Sequence, residues 1–317
     1  MEIKSLFELG GKLAAKNKLI LGLIGTVILL IFWAILAEVL AQKKLVHIEG
    51  SAVQITDRTY VDNDSLMRDD YDQLLSLKSD ELASFGLTTE KVYTIFPPPL
   101  KVLKSFKELH FEDLLIVNSL KSIWLNLLGY VFAIAVSIPL GFLLGLIPFF
   151  RGLFGRIFDA LRFVPLTAVT GIFVMWLGLG SEMKVAFLAF GILVYLVPVV
   201  VQRIDEVEEV YLKTVFTLGA TNWQKIRSVY FPSVISRLSD DIRVLTAISW
   251  TYITIAEMLN RSGGIGELIW IARRQSRIDK AFAVLIVIVL IGILQDRLFL
   301  GLDRLLFPHK YVQADKK

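Results

Sequence analysis

Six apolar runs dominate the chain and constrain what it can fold into. Leu19–Val39 carries a charge only at Glu38, and five more runs lie near Ser119–Ile147, Ile157–Leu179, Val185–Val201, Val244–Leu259 and Ala281–Leu300. A membrane-spanning helix needs about 20 apolar residues. The fifth and sixth runs are therefore expected to borrow flanking turns. Lipid offers no partner to a free backbone N–H or C=O, so runs of this length predict helices. The expected fold class is all-α, a polytopic membrane protein with about six transmembrane helices. Composition agrees. Of 317 residues 55% are hydrophobic and the mean hydropathy is +0.63, above the 45–50% typical of soluble domains by a count that includes glycine. An ordinary soluble enzyme is excluded. With no cysteine, so are disulfides and thiolate metal sites. His47, His110 and His309 are too scattered for ligand pairs, and no metal site is expected. No Gly-x-x-x-x-Gly-Lys-Ser/Thr loop or nucleophile–base arrangement is present.

The segments between the runs divide the chain. Residues 1–18 form a basic tail (Lys4, Lys12, Lys16, Lys18), and 19–41 a first transmembrane helix. That helix is longer than the 7–15-residue core of a cleaved signal, so it is expected to be retained. Gln42–Asn118 holds nine basic and thirteen acidic residues, a net of −4. Residues 42–95 are therefore expected to be a soluble, extracytoplasmic insert, a docking or packing element without metal-site spacing. Pro97-Pro98-Pro99 enforces an extended segment ahead of the main membrane domain, 96–308. Gly141-Phe-Leu-Leu-Gly145 is a small-xxx-small face that lets helices approach. Arg151, Arg156 and Arg162, the basic residues between runs four and five, and those after run six fall on one side of six alternating spans. Both termini, including the 309–317 tail, are then cytoplasmic. The net charge of +4 and pI near 9.1 thus report topology before any nucleic acid. Arg261, Arg273, Arg274, Arg277 and Lys280 break the pattern and would lie outside.

Residues 202–241 are too polar to span and too patterned to be slack. Asp205, Glu206, Glu208 and Glu209 suit a first helical turn, where the dipole favours acids. Val207, Val210, Tyr211 and Leu218 follow at helical spacing, and Gly219 breaks the helix or turns it sharply. Thr221-Asn-Trp223-Gln224 has the form of a capping box that starts a second helix, with Trp223, Ile226 and Tyr230 on one face. Pro232 marks where that helix should end or bend. Two short amphipathic helices joined at a glycine suggest a docking element for a cytoplasmic partner. The alternatives are an interfacial helix on lipid, or packing on the chain's own helices.

Gly219-Ala220-Thr221-Asn-Trp223-Gln, with Pro232 thirteen residues after the glycine, resembles the EAA loop of ABC-importer permeases. In that family the loop contacts the ATP-hydrolysing subunit. Phe96-Pro-Pro-Pro, Arg162-Phe-Val-Pro165 with Trp176-Leu-Gly178, Lys184, and Ile255-Ala-Glu257-Met258 with Gly263-Gly-Ile-Gly266 resemble the branch that carries nitrate, sulfonates and taurine. Together these cover residues 96–308. The same branch includes carriers of vitamin precursors. Departures are Lys213 at the usual acidic position and Thr214 and Val215 at the alanine positions; residues 47–95 have no counterpart.

The resemblance implies a permease subunit in the bacterial inner membrane, a homodimer around a translocation path for a small anion. Its implied partners are two cytoplasmic ATPase subunits, which would bind ATP and Mg, and an extracytoplasmic binding protein, with no nucleic acid. The chain itself would be no enzyme and hold no cofactor. The implied coupling residues are Val207, Tyr211, Gly219, Ala220, Thr221, Trp223 and Pro232. Candidate path or structural residues are Pro165, Trp176 and Glu257. The carboxylate of Glu257 is costly in a membrane; it is either functional or a cap on the turn near Asn260 and Ser262-Gly263-Gly264. Arg273, Arg274 and Arg277 are either a positive vestibule for an anion or acidic binding protein, or lipid anchors. A membrane scaffold or sensor without transport is the competing function, separable by co-purification of an ATPase.

Overall fold

The computed structural model describes residues 14–47, 54–56, 65–67, 74, 75, 77, 82 and 87–312. Lys4 and Lys12, most of the middle of the 42–95 insert, and residues 313–317 lie outside the described residues. The chain forms two compact units, one up to Phe106 with Ser276–Ala283, the other Lys107–Gln275 with the chain from Val284 onward.

In the first unit, helix α1 (Ala15–Val39) is apolar on all sides and exposes nearly all of its side chains, as a lipid-facing helix does. Strand β1 (Gln42–His47) follows it and pairs antiparallel with β4 (Leu87–Val92), in register from Gln42↔Val92 to His47↔Leu87. Between them, β2 (Gln54–Thr56) and β3 (Ser65–Met67) pair in parallel. The insert thus adds short strands to a chain otherwise built of helices. Leu45, Leu82 and Leu87 make a small core backed by Leu74 and Leu75. Glu38 at the end of α1 accepts from Lys91 Nζ at 2.7 Å and Tyr93 Oη at 2.9 Å. Trp33 donates Nε1 to the Pro97 carbonyl at 2.8 Å and joins an aromatic trio with Phe96 and Phe282. The proline segment is thereby fixed before helix α2 (Pro99–Phe111) begins.

The second unit is a helical bundle. Helix α3 (Leu115–Leu146) packs along α6 (Ser181–Asp205) through a stripe of small residues. A Cβ on Gly129 would collide with Leu188, on Gly141 with Val200, and on Gly145 with Ile204. These glycines allow the backbone approach on which helix packing in lipid depends. The core lies along α6, where Phe187, Leu188, Ile192, Leu196, Val197 and Val200 are buried. Helix α9 (Phe231–Asn260) crosses α6 where Gly191 leaves room for the Tyr252 ring. Helix α11 is Ile278–Leu306, and the short α12 (His309–Val312) follows it.

One expectation is corrected: the run Ile157–Leu179 is not one continuous helix. Helices α4 (Pro148–Leu161) and α5 (Leu166–Leu177) meet at 107°. Pro165 has no N–H to continue the ladder and pushes Val164 away from helical geometry; it stands instead at the start of α5, φ −63°, ψ 116°. Among the described residues, five helices are long and apolar enough to cross a membrane, six if the bent pair counts as one. Residues 202–241 are largely helical, as their spacing predicts. Gln202–Asp205 complete α6, and everything from Asn222 onward is helical, running into the fifth span.

Candidate coupling site

Two elements form the exposed loop between α6 and α9. Helix α7 (Glu209–Thr217) ends in a paired C-terminal closure: Gly219 N donates to Phe216 O at 2.9 Å and Ala220 N to Val215 O at 3.0 Å. Such a closure needs a left-handed residue, and Gly219 supplies it with φ +74°. Helix α8 (Asn222–Lys225) starts two residues later with both bonds of a capping box. Gln224 N donates to Thr221 Oγ1 at 3.3 Å, and Thr221 N to Gln224 Oε1 at 2.7 Å. The knuckle between two helices predicted at Gly219 is therefore present, made by local hydrogen bonds alone.

Its apolar side chains are not covered by any of the described residues. Val210, Tyr211, Phe216, Leu218 and Trp223 are exposed, Leu218 at 79% and Trp223 at 69%, and α7 buries no residue. The Lys225 ammonium lies 4.9 Å from the Phe216 ring centroid and ties α8 back to α7. Lys213, at the departure from the family pattern, bonds Glu209 one turn earlier at 2.5 Å. That ammonium holds the Glu209 carboxyl below its ordinary range. Val207 is not on the α7 face as its spacing suggested; it sits in the turn before the helix, where its N–H bonds Ile204 O.

Beyond α8 the chain widens into a π-helical turn, Ile226–Tyr230, before α9. Pro232 neither ends nor breaks the helix. Lacking an N–H for the Ser228 carbonyl, it needs a locally wider ladder to its N-terminal side, and the π turn provides it. The base of the loop is stapled by charge. Arg203 bonds both Asp241 oxygens at 2.7 Å and Glu206 at 2.6 Å, while Arg237 donates to the Glu206 carbonyl at 3.0 Å. Arg151 on α4 bonds both Asp205 oxygens, at 2.9 and 2.5 Å. The hydrogen bond from Arg203, then that from Gln202, depresses the Glu206 carboxyl. The knuckle's two strands of chain thus leave the bundle from one clamped point, with the apolar face turned out.

Residues 137–307 match the family described as the binding-protein-dependent transport system inner membrane component. The chain belongs to that family. It is 26% identical over 223 residues to the taurine transport system permease protein TauC of Escherichia coli, covering 68% of this chain and 81% of that one. To the nitrate import permease protein NrtB of Synechocystis it is 29% identical over 189 residues, covering 57% and 66%. An inward-facing structure of the MetNI methionine ABC transporter shares the fold: TM-score 0.54 at 16% identity, over 61% of this chain and 97% of that one. The protein is a permease subunit of an ABC importer.

The far end of the permease's α9 is closed by a buried polar knot. Glu257 is fully buried. Its Oε1 accepts from Ser122 Oγ at 2.6 Å and its Oε2 from Gly266 N at 2.8 Å. The same Ser122 hydroxyl accepts from Ile265 N at 2.8 Å, and Asn118 Oδ1 from Gly264 N at 2.9 Å. Fully buried Lys184 donates to Gly263 O at 2.9 Å, and Lys121 to Ser262 O. Gly264 (φ +113°) and Gly266 abut the Glu257 side chain, so neither has room for a Cβ. The carboxylate caps the first turn of helix α10 (Ile265–Arg274). Sequence marked Glu257 and Lys184; Ser122, in an apolar run, and Asn118, just before it, carried no signal and join only through the fold.

The remaining candidates are dispersed. Pro165 and Trp176 lie at opposite ends of α5, about 16 Å apart along the axis. Trp176 is exposed and leans on Phe173. Arg273 and Arg274 are exposed on α10. Arg277 belongs to the other compact unit and donates to Asp279 at 2.9 and 3.1 Å. It is not a third free cation of a vestibule.

Proposed function

We propose that the α7–α8 knuckle docks a cytoplasmic ATPase subunit and carries its motion into α9, moving a small oxyanion across the bacterial inner membrane. The observation that carries this reading is the exposed apolar face of Val210, Tyr211, Phe216, Leu218 and Trp223, presented by a knuckle clamped at Arg203–Asp241. Isolated apolar residues on a surface mean little, but five exposed within fourteen residues of one preorganised element mark an interface. ATP and Mg belong to the partner. Two copies of this chain surround the path, a soluble binding protein delivers substrate at the opposite face, and both termini lie in the cytoplasm.

The substrate class rests on the relatives. TauC is named for taurine and NrtB for nitrate, a sulfonate and a planar oxyanion with shared hydrogen-bonding demands. The test is co-purification with the ATPase subunit of the same transport system. Wild-type protein should retain it, and Leu218→Asp with Trp223→Ala should lose it with the membrane domain still folded. Equal retention by the double variant would remove the docking role from this face.

A further inference from the structure

Helix α10 holds a feature that the coupling reading does not use. Arg261 caps α9 in left-handed backbone, φ +47°, a conformation that favours Gly or Asn. Its guanidinium lies 3.8 Å from the Trp270 ring centroid, and Arg274 lies over the same ring at 4.9 Å. Trp270, Arg273 and Arg274 share one face of the helix at i, i+3 and i+4. No carboxylate hydrogen-bonds or ion-pairs with Arg261 or Arg274 among the described residues. Two like charges are thus gathered on one indole with no carboxylate bonded to them among the described residues.

The indole offsets part of the repulsion and fixes both guanidinium planes. Each guanidinium carries five donors in a fork that fits a two-oxygen acceptor. Helix α10 is itself held to the bundle. The Glu257 knot holds its first turn, and Ile265, Leu268, Ile269 and Ala272 are buried in the bundle. That burial separates α10 from a helix lying on lipid, which would turn its apolar stripe toward acyl chains. The 30 residues of α9 put the stack about 45 Å from the coupling loop, at the opposite end of a span.

We propose that the Arg261–Trp270–Arg274 stack is a docking point for paired carboxylates on the soluble protein that meets this face of the permease. The inference rests on the reading above that a binding protein delivers substrate there. The stack stands in the open, where a free small anion gains little from exposed charge; the fit is to carboxylates presented on a larger body.

The test uses the full chain in phosphatidylcholine nanodiscs and a hexaglutamate peptide as probe, with affinity measured at low and physiological salt. Arg261→Gln with Arg274→Gln should weaken binding about tenfold or more. Trp270→Ala, which leaves the charge unchanged, should weaken it several-fold because the guanidinium planes lose their platform. Arg156→Gln with Arg297→Gln removes equal charge elsewhere and should change nothing. Binding by the Arg261/Arg274 variant no weaker than by that control, or full binding by the Trp270 variant, overturns the proposal. So does displacement of the peptide by equimolar sodium sulfate, which would make this a free-anion site. Adding phosphatidylglycerol tests lipid: loss of peptide binding, with lipid retained by wild type and not by the double variant, would make this a headgroup site. No ATPase enters the assay, so its failure leaves the coupling reading standing, and failed ATPase retention leaves this one standing.

Discussion

Replacing Glu257 with alanine tests whether the buried knot holds the turn between α9 and α10 of the permease. The substitution removes the acceptor of two buried donors, Ser122 Oγ at 2.6 Å and Gly266 N at 2.8 Å. A buried donor left without a partner costs about 1–3 kcal/mol, so the pair sums to about 2–6 kcal/mol. Glu257→Gln keeps one acceptor oxygen and turns an NH2 toward the other donor; it should cost about half as much. A domain of this size loses about 2–4 °C of Tm per kcal/mol, which predicts a fall of about 4–24 °C for the alanine variant. The chain lacks cysteine, so native tryptophan fluorescence is a suitable unfolding probe. Because Ser122 also accepts from Ile265 N, Ser122→Ala should be costly alone, yet the double variant should lose less than the sum. An alanine variant that melts within about 1 °C of the native protein, or strictly additive losses, would refute the assignment of these hydrogen bonds.

Three further outcomes follow from the loop and the bundle. Gly219 has open space around it but φ +74°, so Gly219→Ala should cost about 1 kcal/mol and Gly219→Val more, with ATPase association falling in the same order; equal association in both would separate coupling from the backbone turn. Gly141→Leu would force α3 off Val200 and should cost about 1–3 kcal/mol or more, read as loss of folded yield; unchanged yield would mean the helices are not in contact there. Glu206 has a folded pKa below its unfolded value, so its contribution is present above the ordinary carboxylate range and is lost as pH falls through the lowered value. Proteolysis of the 206–221 loop should accelerate on acidification through that window, and Glu206→Gln should abolish the acceleration.

Much of the membrane domain was legible because lipid imposes a severe rule. Long apolar runs must close their own hydrogen bonds, so Ser119–Ile147 and Val185–Val201 marked α3 and α6 to within a few residues of the observed ends. The rule is silent about direction. Nothing in the apolarity of Ile157–Leu179 distinguishes a straight span from two helices at 107°; that follows from the Pro165 backbone, which has no N–H to continue a helical ladder. Apolarity also misplaces the start of α9. The polar residues of Asn222–Asp241 suit a loop by composition, yet they form a helix because the capping box starts one and the π turn admits Pro232.

The coupling knuckle was legible for the opposite reason. Gly219 and the Thr221–Gln224 box act over three or four residues, and such local chemistry survives translation from sequence to structure. The supports act over long separations, and of the residues that make them only Glu257 and Lys184 stood out in the sequence. Arg203 finds Asp241 thirty-eight positions away, and Ser122 finds Glu257 across 135. Each of the others has an ordinary explanation in isolation: a surface charge, or a hydroxyl in an apolar helix. The arginines show the same contrast. Arg273, Arg274 and Arg277 look equivalent as a run, but Arg277 is taken by Asp279 two residues on, while Arg261, thirteen residues before Arg274, shares the ring of Trp270. Charge density in sequence groups Arg261 with the other four basic residues but does not say which neighbour each one meets, because that is set by what the fold places beside it.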